Sequence, residues 1–414
     1  MIRRAASLAA LSLFVSTIGI APVAAGDDVF VTVEIVVKAE LSEAELAEIA
    51  AEENGFVVGP VIESRGVYLL AMVTDVKADK IEEETDKEAE DWAKDVANED
   101  GVVWAEPVWV ENAEDTRFHA WPDGDPDEVG ELDNDEVFAD LALEEAHQTA
   151  TGSGAVVAIL DTGIDFAHPF FSGRLLPGYD LVDDDADASD AGNGVDDDAD
   201  GAVDEAYGHG TFVAGVVLQV APDATILPIR VLDADGRAGV PTVVEGIYLA
   251  IELGADVINL SFSLPTNDKP DSLKDALKAA KEADIVVTGA AGNQGLDDKV
   301  YPASEGSVIS VGAIDTADQE EVAQFSSYGK WVLVAAPGVD VVSTVPGGGY
   351  AVWAGTSMAS PVVAGQLALL LEIDPDAKRK DLEKAVKDSA RKMTGNNKAE
   401  KGVVDLLESL VQIS

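Results

Sequence analysis

From about Gly154 onward, short runs of apolar residues return at intervals: AVVAIL, ATILPIRVL, ADVINLSFS, DIVVTGAAG, SVISVGAI and WVLVAAPG. None alternates polar with apolar, so a strand built from any of them is buried on both faces. Helix-like stretches lie between them, TFVAGVVLQ, VPTVVEGIYLAIEL and DSLKDALKAAKEA. Strands without a wet face, separated by helices, constrain this part of the chain to a parallel sheet sandwiched by helices, an α/β fold. In such sheets a site forms where strand C-terminal ends meet helix N-termini.

The chain ahead of that sheet reads differently. MIRR, the apolar AASLAALSLFVSTIGIAP and the small-residue exit VAAG form a secretory signal over residues 1–25, cleaved after Ala25. It sends the protein out of the cytoplasm, to the periplasm or the exterior. No later segment is expected to be apolar for long enough to span a bilayer. Residues 29–110 then run strand, helix, strand, strand, helix, strand, a small α+β unit of the ferredoxin-like, split βαβ kind. Ser42 is the expected N-cap of its first helix, LSEAELAEIAAEE. Residues 111–145 hold 14 acidic residues and one basic one, Arg117, which marks a linker over 113–146.

Charge narrows the partners. Asp plus Glu number 79 against 27 Lys plus Arg, a net −52, which excludes nucleic acid and stable association with anionic membranes. Self-repulsion of that size calls for salt or bound cations. The chain has no Cys, so disulfides and thiol chemistry are out of reach.

Four residues fall at the strand-to-helix junctions. AVVAIL ends in Asp161 within DTGID, where a carboxylate is either a helix cap or a catalytic group. GHGTFVAG sets His209 between two glycines at a helix start, as a packing residue or as a base. AAGNQG puts Asn293 after another buried strand, and AGTSMASP puts Ser357 at the start of VVAGQLALLL. A hydroxyl there is a helix cap or a nucleophile. Together they make a working set. Serine needs an imidazole to take its proton, the imidazole needs a buried carboxylate, and the oxyanion needs about two donors.

The order Asp, His, Ser, with no GxSxG elbow at Ser357, resembles the subtilisin-like serine proteases. AILDTGID, GHGTFVAG, INLSFS, AAGNQG and GTSMASP match that family's segments in the family's order across about 147–414. The resemblance implies a serine endopeptidase acting on polypeptides through Asp161, His209 and Ser357, with Asn293 as oxyanion donor. It implies that Ser261, Phe262, Ser263 and Gly292 line a cleft that pairs with an extended peptide. Ser263 and Leu264 stand where members usually carry glycine, which implies a narrower pocket for small or medium apolar side chains. Residues 26–112 resemble the family's inhibitory propeptide, so the chain is expected to be a monomeric zymogen with its own propeptide as inhibitor. A permanently attached accessory domain is the other reading of that unit. A catalytically silent peptide binder and an esterase are the alternatives to a protease.

Between Asp161 and His209, residues 183–205 hold 11 carboxylates and no basic residue. Asp196, Asp198, Asp200 and Gly201 reproduce the D-x-D-x-D-G spacing of a calcium loop, with Asp204 at its ninth position. The twelfth is Tyr207 rather than Glu, so the match to an EF-hand is partial. Structural calcium on Asp196, Asp198, Asp200 and Asp204 is the expectation, and a solvated acidic loop is the alternative.

Overall fold

The computed structural model describes residues 28–52, 55–62, 66–77, 81–108, 110–111, 132–134, 136–196, 201–263, 270–317 and 321–413. The expected signal, most of the acidic linker, Leu264, Asp198 and Asp200 lie outside these residues. Two compact units emerge. One takes the chain up to Val110 with Gly239–Glu245 and Pro270–Asp275, and the other takes the rest.

In the first unit the expected order holds: β1 (Asp28–Ala39), α1 (Glu43–Glu52), β2 (Gly55–Ile62), β3 (Val67–Lys77), α2 (Ile81–Ala97) and β4 (Val102–Pro107). The sheet order is β2-β3-β1-β4, the split βαβ arrangement, with β1 antiparallel to β3 and β4. Alternate residues of the strands turn toward the two helices. Val33, Ile35 and Val37 of β1 and Tyr68, Leu70 and Met72 of β3 are buried with Leu46, Ala50, Trp92, Ala93 and Val96 of the two helices. Ser42 starts α1 as expected. Its backbone N–H donates to Glu45 Oε2 at 2.9 Å while the Glu45 N–H reaches Ser42 Oγ at 3.4 Å, a reciprocal capping box.

The second unit holds an eight-stranded parallel sheet. Its strands are β5 (Val156–Asp161), β6 (Tyr179–Asp180), β7 (Thr225–Arg230), β8 (Val257–Leu260), β9 (Val286–Ala290), β10 (Val308–Ile314), β11 (Val334–Pro337) and, after the hairpin strands β12 (Val341–Val345) and β13 (Gly349–Trp353), the edge strand β14 (Gly402–Val403). The order is β14-β11-β10-β9-β8-β5-β7-β6. From β5 the chain goes first to the β7 side and later to the β8 side, so the strand order reverses at β5. A crevice opens at such a switch point.

Helices cover both faces. Helices α3 (His209–Val220) and α6 (Thr356–Ile373), with α7 (Arg379–Ser389) and α8 (Leu406–Ile413), pack on the face that presents Val157, Ile159, Val257, Val286 and Val311. Helix α4 (Val240–Glu252) lies on the other: a Cβ on Gly246 would meet Leu160 Cδ2 at 3.1 Å. Helix α5 (Asp271–Glu282) precedes β9.

Two expectations are corrected. Helix α6 is by length and composition apolar enough to cross a membrane, contrary to the reading that no later segment would be. With 83% of it buried, it is the core helix of this unit. The linker was drawn to residue 146, yet Phe138, Leu141 and Ala146 belong to the main core. Asn134 also donates to Gln219 Oε1 at 2.6 Å and accepts from the Val342 N–H at 2.8 Å. The acidic side chains here hid short apolar anchors.

Candidate active site

Asp161 ends β5, Ser261 follows β8 and Asn293 follows β9, and these three strands are neighbours in the sheet. Parallel register brings their C-terminal ends level, with Leu160 opposite Leu260 and Leu260 opposite Gly289. His209 opens α3 and Ser357 is the second residue of α6.

Asp161 and His209 are both buried, and Asp161 Oδ1 lies 2.7 Å from His209 Nδ1. A buried carboxylate accepting from Nδ1–H fixes the tautomer, so Nε2 is the nitrogen that can take a proton. Asp161 is itself held, since Oδ1 also accepts from the Thr162 N–H at 2.8 Å. The helix start comes this close because residue 210 is glycine. A Cβ there would lie 2.2 Å from the Gly163 carbonyl oxygen. The Trp353 indole, four residues before Ser357, lies nearly parallel to the His209 ring at 6.4 Å and to the Phe212 ring at 4.5 Å.

The serine is tied to β8 by a reciprocal pair. Ser357 Oγ donates to the Ser261 carbonyl at 2.8 Å, and Ser261 Oγ donates to the Ser357 carbonyl at 2.8 Å. Pro361 explains the second bond. In a helix the Ser357 carbonyl would accept from the N–H of residue 361, and proline has none. Asn259 supports the arrangement from below, donating to Ser261 Oγ at 2.8 Å and accepting from Thr288 Oγ1 and Ser360 Oγ.

Asn293 has a defined orientation. Its Oδ1 accepts from the Thr356 N–H at 2.9 Å and from Thr356 Oγ1 at 3.0 Å, so the amide NH2 faces the other way. A Cβ on Gly355 would lie 3.6 Å from Asn293 Nδ2 and 3.7 Å from the Ser357 nitrogen. Two N–H donors therefore lie close to one point, with the Met358 sulfur beside it at 3.3 Å, and paired donors of this kind are what an oxyanion requires.

The residues expected to line a substrate cleft also bond within the site. The Ser261 carbonyl is taken by Ser357. The Gly292 N–H donates to Thr356 Oγ1 at 3.0 Å and its carbonyl accepts from the Ser327 N–H at 2.9 Å. Without a peptide, these backbone groups tie the site together. Phe262 and Ser263 follow β8 and are buried.

In the acidic insertion, Asp196 Oδ2 accepts from the Gly201 N–H at 3.1 Å while its Oδ1 is buried with no hydrogen-bond partner among the described residues. An orphaned carboxylate oxygen of that kind suits a hard cation. Asp204 behaves otherwise. Its Oδ1 accepts from the Asn193 N–H at 2.8 Å and its Oδ2 from the Gly194 N–H at 2.9 Å, closing the loop on itself. Among the described residues no cluster of three metal-ligating side chains forms, and two of the four expected ligands are outside them.

One carboxylate in this insertion went unassigned on sequence grounds. Asp190 is buried, and desolvation pushes its carboxyl up to about 6, against the pull of hydrogen bonds from Thr211 and Gly208. Nothing in the sequence separates it from the ten other acids of residues 183–205.

Residues 152–405 match the Subtilase family. The Thermophilic serine proteinase of Bacillus sp. (strain AK1) is 36% identical over 305 residues, 71% of this chain and 69% of that protein. The Intracellular serine protease of Paenibacillus polymyxa is 39% identical over 246 residues, 56% of this chain and 71% of that protein. Among solved structures, one described as proteases from Pseudoalteromonas arctica superposes with a TM-score of 0.58 at 30% identity, over 66% of this chain and 94% of that one.

Proposed function

The chain belongs to the subtilase family, and on that premise we propose that it is a secreted serine endopeptidase made as a zymogen. Ser357 is the nucleophile, His209 the general base, Asp161 the orienting acid and Asn293 the oxyanion donor. The observation that carries this reading is the buried 2.7 Å bond between Asp161 and Nδ1 of His209, which reserves Nε2 for the serine proton.

The steps follow from that geometry. The Ser357 hydroxyl leaves the Ser261 carbonyl by rotation about χ1 and attacks the scissile carbonyl carbon as its proton passes to His209 Nε2. Negative charge develops on the carbonyl oxygen, between the Ser357 N–H and the Asn293 amide. Collapse expels the amine, which takes the proton from the imidazolium, and water then hydrolyses the acyl-enzyme by the same route. Asp161 stays ionised throughout and stabilises the imidazolium.

Other parts of the reading have separate supports. The leader-like residues 1–25 support secretion, and family membership alone does not decide it, because one relative is named as intracellular. The ferredoxin-like unit over 26–112, ahead of a peptidase domain over 147–414, supports a propeptide. A parallel sheet rich in non-local pairings folds slowly, which gives an attached template a physical purpose. Calcium would be held by Asp196 with Asp198 and Asp200, and Asp204 would close the loop instead of ligating. When bound, the cation would screen the insertion's carboxylates.

Labelling with a fluorophosphonate tests the reading. One adduct per chain is expected, lost in Ser357→Ala and suppressed at least tenfold in His209→Ala, while an adduct that survives Ser357→Ala refutes it. N-terminal sequencing of the secreted chain tests maturation, and a start at Gly26 argues against it.

A further inference from the structure

Asp190 lies within the acidic insertion, yet at 7% exposed it does not belong to a solvated loop. Its Oδ1 accepts from Thr162 Oγ1 at 3.2 Å and from the Gly208 N–H at 3.0 Å. Its Oδ2 accepts from the Thr211 N–H at 3.2 Å and from Thr211 Oγ1 at 2.6 Å. The donors belong to two pieces of chain: Thr162 follows Asp161, and Gly208 and Thr211 flank His209.

The two hydroxyls pass the constraint on. Each has one proton, and because each gives it to an acceptor-only carboxylate, each keeps its lone pairs for a backbone N–H. Thr162 Oγ1 thereby accepts from the Gly210 N–H, and Thr211 Oγ1 from the Asp165 N–H, both at 3.0 Å. One carboxylate thus sets the direction of both bonds that lace the turn after Asp161 to the start of α3. The insertion is fastened to the same turn by backbone bonds, from the Ile164 N–H to Ala188 and from the Asp190 N–H to Ile164.

We propose that Asp190 is a positioning residue for the Asp161–His209 pair, keeping the turn and the helix start at the separation that maintains the bond between them. This rests on the triad reading above. The competing account is a buried helix cap that stabilises the fold and leaves turnover alone. The two differ in kinetics, because a strained pair slows proton transfer without changing how peptide binds. Asparagine is the sharp substitution. It keeps the shape, but it offers one acceptor oxygen in place of two, so its NH2 must face either the Gly208 or the Thr211 N–H, and that donor beside His209 loses its acceptor.

In the test, the secreted chain freed of its propeptide and the same form of its Asp190→Asn variant are titrated with a fluorophosphonate to count reactive sites, and kcat and KM on a chromogenic peptide are expressed per titrated site. The expected result is a kcat per site lower by roughly 10- to 100-fold, with KM within about twofold. The downfield proton NMR signal of the His209–Asp161 hydrogen bond is expected to shift or vanish. A fall in kcat below tenfold, a KM that rises as far as kcat falls, or an unmoved proton signal overturns the proposal. If Asp190→Asn does not fold, Thr211→Val, which deletes one hydroxyl donor, replaces it. A fall of at least about threefold at constant KM is then expected, and a smaller one overturns the proposal. If the parent chain itself does not titrate, the triad reading has failed instead.

Discussion

Asp190 also gives the molecule a pH dependence whose sign is fixed. Its carboxyl sits at about 6 when folded, well above the ordinary carboxylate range, with desolvation as the main cause and the charge of Asp161 adding to it. Between about pH 4 and pH 6 the native chain holds a proton there that the unfolded chain has released, so this group's contribution to stability is lost as pH rises through that window. The groups nearest in charge are Asp161, which raises Asp190, and Tyr207, whose hydroxyl is itself raised by burial and then by Asp190, Asp165 and Asp204. Asp190→Asn carries no such slope. Its melting temperature is expected to gain on the parent's as pH goes from 4 to 7 in strong salt, and a constant difference across that range contradicts the assignment. The proposed catalytic set can be read from the sequence because each residue sits in a short motif whose neighbours have a local reason to be there, such as the glycines flanking His209. Asp190 was not legible, since its meaning lies in partners 18 to 28 positions away. The bonds that tie Ser261 and Gly292 into the site were hidden for the same reason: their partners Ser357, Thr356 and Ser327 are remote in sequence.

Helices α3 and α6 carry His209 and Ser357 at their starts, and they pack through Gly365. A Cβ at that position would lie 2.6 Å from Val220 Cβ and 3.1 Å from the Val217 carbonyl oxygen, on a backbone that cannot step aside. Two effects oppose each other in Gly365→Ala. Alanine gains about 1 kcal/mol of helix propensity, while overpacking costs about 1–3 kcal/mol. With a backbone oxygen among the clashing atoms the second wins, and a melting point lower by about 2–4 °C is expected in a thermal scan. A raised melting point would mean the helices are looser than described. Strands and helices with strong periodicity were read within a few residues, including the βαββαβ order of the first unit and the C-terminal helices. The β12–β13 hairpin was missed because five-residue strands around a PGGG turn carry little pattern. Residues 132–146 were taken as linker because three buried apolar side chains are few among many acids.

At the scale of the molecule, a net charge of −52 acts on every unit at once. Screening shortens the reach of these repulsions to about 8 Å at 0.15 M salt and about 3 Å at 1 M. The melting temperature is therefore expected to climb steadily from low salt to 1 M sodium chloride, and a flat or falling curve would show that the acids are already neutralised within the fold. Salt tunes the scaffold, whereas the account as a whole stands on Ser357 acting with His209 and Asp161. The most direct measurement is the pre-steady-state release of the leaving group from an activated peptide ester. The account predicts a burst of one equivalent per mature chain, followed by slower turnover, with the burst abolished in Ser357→Ala. Release that shows no burst, or a burst unchanged in Ser357→Ala, would contradict it.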